Sequence, residues 1–404
     1  MSNGFDYKSK VFMVLWAVNF LLTFSMNLIP TPSAYLTERF QGGVQTATVA
    51  ALGIMASIGY AATTVGYFVG AFAADLLGKK NVVVVSFVVM AIGCGLFVFA
   101  PSLNYLFLAS FVEFFASGFS SPAIAALVAG CSQQNSRGMA YGVFNLSWVS
   151  SGIAGPLLAG VLAQFVTLRT PFILAALVSI VGLLFALLLE QKNVERQGGG
   201  KSDSVGRTGP KRGSVLRRVI LIFGATNLLN GLLNGFINPV LKGMLLFKLA
   251  AAPSVYGLVL SLSSSLVTGI VQLPGGKLAD KFGRKPLVLI GFLGVPLVLL
   301  LGFSRSLLDF SFILGGISAV GNISGPAISA WLMDLVPDQR RAKVSGITQT
   351  LNGVGLTVGP NGGSYVWNST KPDAVVPCGI AALLYLASLP FYLTLKEPAQ
   401  SSQT

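Results

Sequence analysis

Gly276-Lys277-Leu278-Ala279-Asp280-Lys281-Phe282-Gly283-Arg284-Lys285 joins two long apolar stretches. One acid, four cations and two glycines in ten residues describe a tight, water-facing turn. The glycine permits an unusual backbone angle, and the acid faces a helix N-terminus or binds a cation from a neighbouring helix. A degraded copy, Ala71-Phe72-Ala73-Ala74-Asp75-Leu76-Leu77-Gly78-Lys79-Lys80, keeps the acid, the second glycine and the basic pair. The same turn written twice implies a duplicated unit.

Working outward, the duplication extends over the chain. A shift of 204 residues superposes Pro122 on Pro326, Arg137 on Arg341, Gly142 on Gly346, Gly155 on Gly359 and Pro156 on Pro360; a shift of 205 superposes Thr63 on Thr268, Asp75 on Asp280 and Gly78 on Gly283. A shift of 208 brings Ala17 and Asn19 onto Ala225 and Asn227. Apolar runs long enough to cross a hydrocarbon core of about 30 Å fall near 11–36, 46–74, 82–100, 105–130, 138–165 and 170–190, then 218–246, 255–279, 286–304, 309–334, 343–367 and 374–394. The expected architecture is an all-α integral membrane protein of twelve transmembrane helices in two six-helix bundles, 1–190 and 218–404. The polar, glycine- and serine-bearing stretch 191–217 is a cytoplasmic linker between them. Six spans per unit give both units the same orientation, so the repeat axis runs along the membrane normal and leaves a central seam.

Composition agrees. Of 404 residues, 53% are hydrophobic and only 10% charged, against about 25% charged in soluble domains. The formal charge of +14 suggests nucleic acid until it is placed on the spans. With a cytoplasmic N-terminus, 21 of the 27 Lys and Arg fall on cytoplasmic segments, leaving outside Arg39, Arg169, Lys242, Lys248, Arg305 and Lys371. That is the positive-inside bias, so the lipid bilayer is the expected partner and nucleic acid is not. Cys94, Cys131 and Cys378 have no metal-ligand spacing and read as packing residues; no metal or cofactor is expected. The absence of His removes histidine-based acid/base chemistry, and no glycine run ends in the Lys-Ser/Thr of a phosphate loop. Neither an enzyme nor an ATP-driven pump is expected.

The Gly276–Lys285 decapeptide closely resembles the loop signature of the major facilitator superfamily, with a resemblance that covers essentially the whole chain. It implies the major facilitator fold, alternating access, and a conformational latch between the halves built from Asp75, Gly78, Gly276, Asp280, Gly283 and Arg284, with Arg137 and Arg341 as partners. Gly152-Ile153-Ala154-Gly155-Pro156-Leu157-Leu158-Ala159-Gly160 is similar to the glycine-proline motif of drug/proton antiporters in that superfamily, with Ala in place of its penultimate Gly. The second half has its own Gly359-Pro360, so these four residues, Gly155, Pro156, Gly359 and Pro360, also read as helix-packing and bending positions.

Glu113 is the acid that falls mid-span. Ionisable groups inside a membrane are functional candidates by default. Many family members carry Arg in this helix, but matching on Gly118 puts Phe114 there, leaving Glu113 without an evident intramembrane cation. A carboxyl in a dry bundle favours its neutral form and releases its proton when water or a cation reaches it, so Glu113 is the expected proton-coupling residue. For the substrate cavity, Asn227, Asn230, Asn234 and Asn238 are three, four and four residues apart and share one helix face. Such a face avoids lipid. With Asn19, Asn145, Trp148, Gln272, Asn322, Gln349 and Asn352 it offers amide donors and acceptors and an indole surface.

These features predict a secondary active transporter of a small organic solute, coupled to protons, exporting amphipathic or cationic compounds, and monomeric in the cell inner membrane with both termini cytoplasmic. The alternative is uptake of a neutral polar solute such as a sugar, which the amides favour.

Overall fold

A computed structural model describes residues 9–131, 137–189, 210–336, 338–371 and 373–395. The first half holds α1 (Lys10–Asn27), α2 (Pro30–Phe40), α3 (Gln45–Leu77), α4 (Lys79–Val98), α5 (Leu103–Gly130), α6 (Arg137–Phe165) and α7 (Thr170–Leu187). The second holds α8 (Pro210–Gly243), α9 (Pro253–Val259), α10 (Val267–Phe282), α11 (Arg284–Gly291), α12 (Gly294–Gly302), α13 (Leu307–Leu335), α14 (Asp338–Thr370), α15 (Val375–Leu386) and α16 (Leu389–Leu393).

Several expected spans are single crossings interrupted by proline or by a π-turn. Pro30 opens α2 at the break in the first span, where its missing N–H costs nothing. The π segment Leu260–Leu266 links α9 to α10, and a second, Met244–Lys248, extends α8. The expected linker shortens at its end: α8 starts at Pro210, and 190–209 lies outside the described residues. Among the described residues, eleven helices are long and apolar enough to cross a membrane. The remaining crossing is α14, 33 residues rich in Gly, Thr, Asn and Ser. It packs against α8 on one side and α3 on the other, so protein rather than lipid surrounds much of it and apolarity is not demanded of its sequence.

Both glycine turns adopt the backbone that their sequence required. Gly78 has φ 85° and Gly283 φ 92°, a region that side chains with a Cβ rarely enter. These turns define a basic end of the molecule; the opposite, far end carries the connections after α2 and α8.

Small residues set the spacing inside each half. Gly231 and Gly235 on α8 face Gly355, Gly359 and Gly363 on α14, with a Cβ at Gly235 lying 2.8 Å from the Leu356 carbonyl. Gly66 and Gly70 on α3 abut the backbone of α5 from Phe115 to Phe119. Without a hydrophobic driving force between helices in lipid, such close backbone approach supplies the packing energy.

Two seams join the halves, α3 with α14 and α6 with α9 and α10, and they are related by the repeat. At the far end a Cβ on Gly53 would lie 2.9 Å from the Pro360 carbonyl, and its equivalent, Gly257, meets the Pro156 carbonyl. Midway, Gly353 meets Thr64, as its equivalent Val149 meets Gly269. Beyond that point the seams part. Gly142 and Gly346, equivalent positions near the basic ends of α6 and α14, face open space among the described residues. Among the described residues, the seams meet at the far end and part towards the basic end.

Gly363→Ala should drive a methyl into the Phe236 carbonyl and lower stability by about 1–3 kcal/mol. Gly346→Ala, in open space, should leave it unchanged or raise it by up to about 1 kcal/mol. Thermal unfolding in detergent separates the two; equal melting points would contradict the packing described.

Candidate transport site

The polar face of α8 organises the region between the halves. At the far end it touches the first half: Asn238 Nδ2 donates to the Tyr60 hydroxyl of α3 at 3.4 Å. One turn towards the middle, Asn234 is exposed and donates to both the backbone carbonyl and the Oδ1 of Asn230 at 2.8 Å. Asn230 is exposed as well. The face therefore leaves the neighbouring half as the seams open and looks into space.

Asn227 and Asn230 also line a cleft of about 150 Å³, with Thr226, Ser324, Tyr385 and Tyr392. Gly321 and Gly325 of α13 border the same cleft and have no atom within 4 Å of where a Cβ would stand, which keeps it open. Its wall carries hydroxyls, amides and aromatic rings, and no charge.

The remaining expected cavity residues divide into two groups. Asn19 is buried, donating to Ser147 Oγ at 2.7 Å, and joins α1 to α6. Asn322 donates to Thr268 Oγ1 at 2.9 Å and joins α13 to α10. Asn352 donates to the Asn227 carbonyl at 3.1 Å and joins α14 to α8. These three amides hold helices together. Asn145, Trp148 and Gln349 are exposed and Gln272 is half-buried; Asn145 and Trp148 sit on α6 on the basic-end side of its last seam contact, and Gln349 holds the matching place on α14.

Glu113 is enclosed by the first half. It is 2% exposed, and its backbone and Cβ pack on Gly93 of α4, inside the first half rather than on an open wall. Its Oε2 has no hydrogen-bond partner. Lys242, counted by hydropathy among the outer segments, is half-buried near the far end of α8. It follows Asn238 by four residues and continues the Asn227, Asn230, Asn234 face.

The two basic turns are tied down within their own halves. Lys80 Nζ donates to the Leu187 carbonyl at the end of α7 at 2.7 Å, and its equivalent Lys285 donates to the Leu393 and Leu395 carbonyls at 3.1 Å. Each lysine meets the carbonyl-bearing end of the last helix of its half, where the helix dipole favours a cation. Arg284 pairs with Asp334 of α13 at 3.3 Å, and Arg341 Nε donates to the Val336 carbonyl at 3.2 Å. Asp75 is exposed. Gly276 falls within α10, and the side chains of Asp280 and Arg137 lie outside what the structure describes. The glycine-proline pairs have a shared geometry: Gly155 packs on Asn27 of α1 and Gly359 on α8, while Pro156 and Pro360 present carbonyls to the opposite half.

Known proteins resemble this arrangement. The family model for the Major Facilitator Superfamily matches residues 15–228 and 223–404. The multi-drug resistance efflux pump PmrA of Streptococcus pneumoniae is 25% identical over 367 residues, 87% of this chain and 88% of that protein. A PmrA homolog from Lactococcus lactis is 24% identical over 72% of each chain. Among solved structures, a D-xylose-proton symporter superposes with a TM-score of 0.75 over 97% of this chain and 99% of its own, at 13% identity. With the family model spanning both halves, the chain belongs to the Major Facilitator Superfamily, multi-pass membrane carriers of small molecules rather than enzymes.

Proposed function

We propose that the protein is a proton-coupled exporter of amphipathic or cationic compounds, acting as a monomer by alternating access. The observation that carries this reading is the similarity, over 87% of the chain, to a multidrug efflux pump. The positive-inside bias puts the basic end and both termini in the cytoplasm of the cell whose inner membrane holds the protein. The bundles are 1–190 and 218–404, joined by 191–217, whose last residues from Pro210 are already the start of α8. The described conformation is then inward-open, with the substrate entering from the cytoplasm or the inner leaflet.

Glu113 is the proton carrier in this reading, and exposed Trp148 with Asn145, Asn227, Asn230, Asn234, Gln272 and Gln349 forms the substrate surface. An indole face suits flat or cationic compounds, and the amides supply adaptable polar contacts. Asn19, Asn322 and Asn352 support the surface from behind. Asp75, Gly78, Gly276, Asp280, Gly283, Arg284, Arg137 and Arg341 act as the latch of the opposite, inward-closed state. In the described structure, Arg284 pairs with Asp334 and Arg341 donates to the Val336 carbonyl.

The second reading, uptake of a neutral polar solute such as a sugar, draws on the asparagine face of α8. It is weakened because Asn19, Asn322 and Asn352 are occupied in helix packing, which leaves fewer amides for hydroxyl recognition.

In proteoliposomes, an inward proton gradient should drive extrusion of a lipophilic cation, and Glu113→Gln should remove the gradient dependence while leaving binding within a few-fold. Proton-driven transport by Glu113→Gln at the wild-type rate would refute the coupling role. Trp148→Ala should weaken binding by about tenfold, or roughly 1.4 kcal/mol, without moving the melting temperature, whereas Asn19→Ala should lower stability by about 1–3 kcal/mol. Binding titrations and melts on both variants measure this, and the reverse pattern would move the substrate surface elsewhere.

A further inference from the structure

The cleft inside the second half lies between α8, the end of α11, α13 and the α15–α16 pair, and its volume of about 150 Å³ is the size that takes about one benzene ring. Three aromatic side chains stand around it: the Phe292 ring is 5.3 Å from that of Tyr385, tilted, and 6.1 Å from that of Tyr392, edge-on. Of the lining residues, Asn230 and Gly321 are exposed. The mouth therefore lies on the side where Asn230 bonds to exposed Asn234, in the space between the halves. At the equivalent positions of the first half, Val18 stands for Thr226, Leu22 for Asn230, Ser117 for Gly321 and Ser121 for Gly325, and both Val18 and Leu22 are buried core. The polar wall of this cleft is not part of the repeat.

The hydroxyls of the wall are oriented by the backbone. Thr226 Oγ1 donates to the Phe223 carbonyl at 3.1 Å, Ser324 Oγ to the Gly321 carbonyl at 3.0 Å, Ser388 Oγ to the Tyr385 carbonyl at 2.8 Å, and the Tyr385 hydroxyl to the Gly291 carbonyl at 2.8 Å. Each has spent its one proton and keeps lone pairs, so towards a ligand it accepts. Asn227 Nδ2 likewise donates to the Phe223 carbonyl at 2.8 Å, and its Oδ1 is a further acceptor. Two of these oxygens converge: a Cβ on Gly291 would lie 2.8 Å from Ser324 Oγ and 3.6 Å from the Tyr385 hydroxyl oxygen. No charged side chain is among the described residues of the lining, so an ionised group placed there would lose its hydration without gaining a counter-charge.

We propose that this cleft binds a neutral aromatic ring bearing an O–H or N–H donor, with the ring among Phe292, Tyr385 and Tyr392 and the donor directed at Ser324 and Tyr385. The ligand's role as substrate rests on the export reading and deepens it. The ring is the buried part of an amphipathic compound, and the charged part stays at the mouth beside Asn230 and Asn234. Such a site selects by hydrogen-bond polarity as well as by size. A ring of the same shape without a donor leaves the acceptors of the wall unpaired, and that loss is what separates the two compounds.

The test uses 4-fluorophenol and its O-methyl ether, 4-fluoroanisole, on the purified full chain in lipid nanodiscs. Fluorine NMR titrations measure binding, and empty nanodiscs correct for partition into lipid. 4-Fluorophenol should bind saturably and about tenfold or more tightly than the ether. The charged ring 4-fluorobenzylammonium should bind no better than the ether. Ser324→Ala, which removes one acceptor and a hydrogen bond local to its helix, should weaken 4-fluorophenol by about three- to tenfold without moving the melting temperature. Gly325→Leu puts a side chain into the empty space and should abolish saturable binding. Equal affinity for phenol and ether, tighter binding of the ammonium compound, or wild-type binding by Gly325→Leu overturns the proposal. Should Gly325→Leu fail to fold, wild-type affinity in Ser324→Ala overturns it equally. Extrusion of a lipophilic cation carrying a phenol is read separately in proteoliposomes, where Ser324→Ala should raise the half-saturating concentration by about three- to tenfold. If phenol binding fails while extrusion persists, the cleft alone is refuted; if the wild type extrudes nothing while phenol binding behaves as stated, the export reading falls and the substrate role with it.

Discussion

Close approach of a glycine in one half to a proline carbonyl in the other, at Gly53 with Pro360 and at Gly257 with Pro156, governs the rest of the structure. A side chain at either glycine would force the seam apart, and the seams are what close the far end. Because each contact is made by the backbone, it is broken by separating whole helices rather than by turning a rotamer. The same proline follows a glycine, Gly359 or Gly155, that packs into its own half. One dipeptide therefore fixes α14 to α8 or α6 to α1 and meets the opposing half with its next residue. Present in both copies, it belongs to the moving framework of the duplicated unit.

Polar groups follow the rule that lipid offers no hydrogen bonds. Several amides join one helix to another, and Asn145, Asn230, Asn234 and Gln349 are exposed where the seams have parted. The face of α8 displays both conditions along a single helix: Asn238 is engaged with the first half, and Asn230 and Asn234 are open. Pseudo-symmetry supplies the frame, and chemistry is concentrated where symmetry fails.

Much of this was legible in the sequence. Hydropathy located most crossings, and the superposition of Pro122 on Pro326 and Gly155 on Gly359 exposed the duplication, which secured α14 although its own composition is barely apolar. The positive φ of Gly78 and Gly283 followed from glycine standing at a turn. Less legible was which amides face solvent, since Asn19 and Asn145 differ in burial and not in type, and burial depends on helix rotation and on how far the seams have opened. The pairings of the basic turns were likewise hidden, because Lys80 and Lys285 bond to backbone carbonyls, which every residue possesses.

The most direct test of the central claim, a carrier closed at the far end and open at the basic end that alternates under a proton gradient, is sidedness of labelling at Gln349→Cys. In a background without native cysteines, a membrane-impermeant thiol reagent should label it at rest from the cytoplasmic side alone, and from the outside once substrate and an inward proton gradient are supplied. Labelling from the outside at rest, or equal labelling from both sides at once, would contradict it.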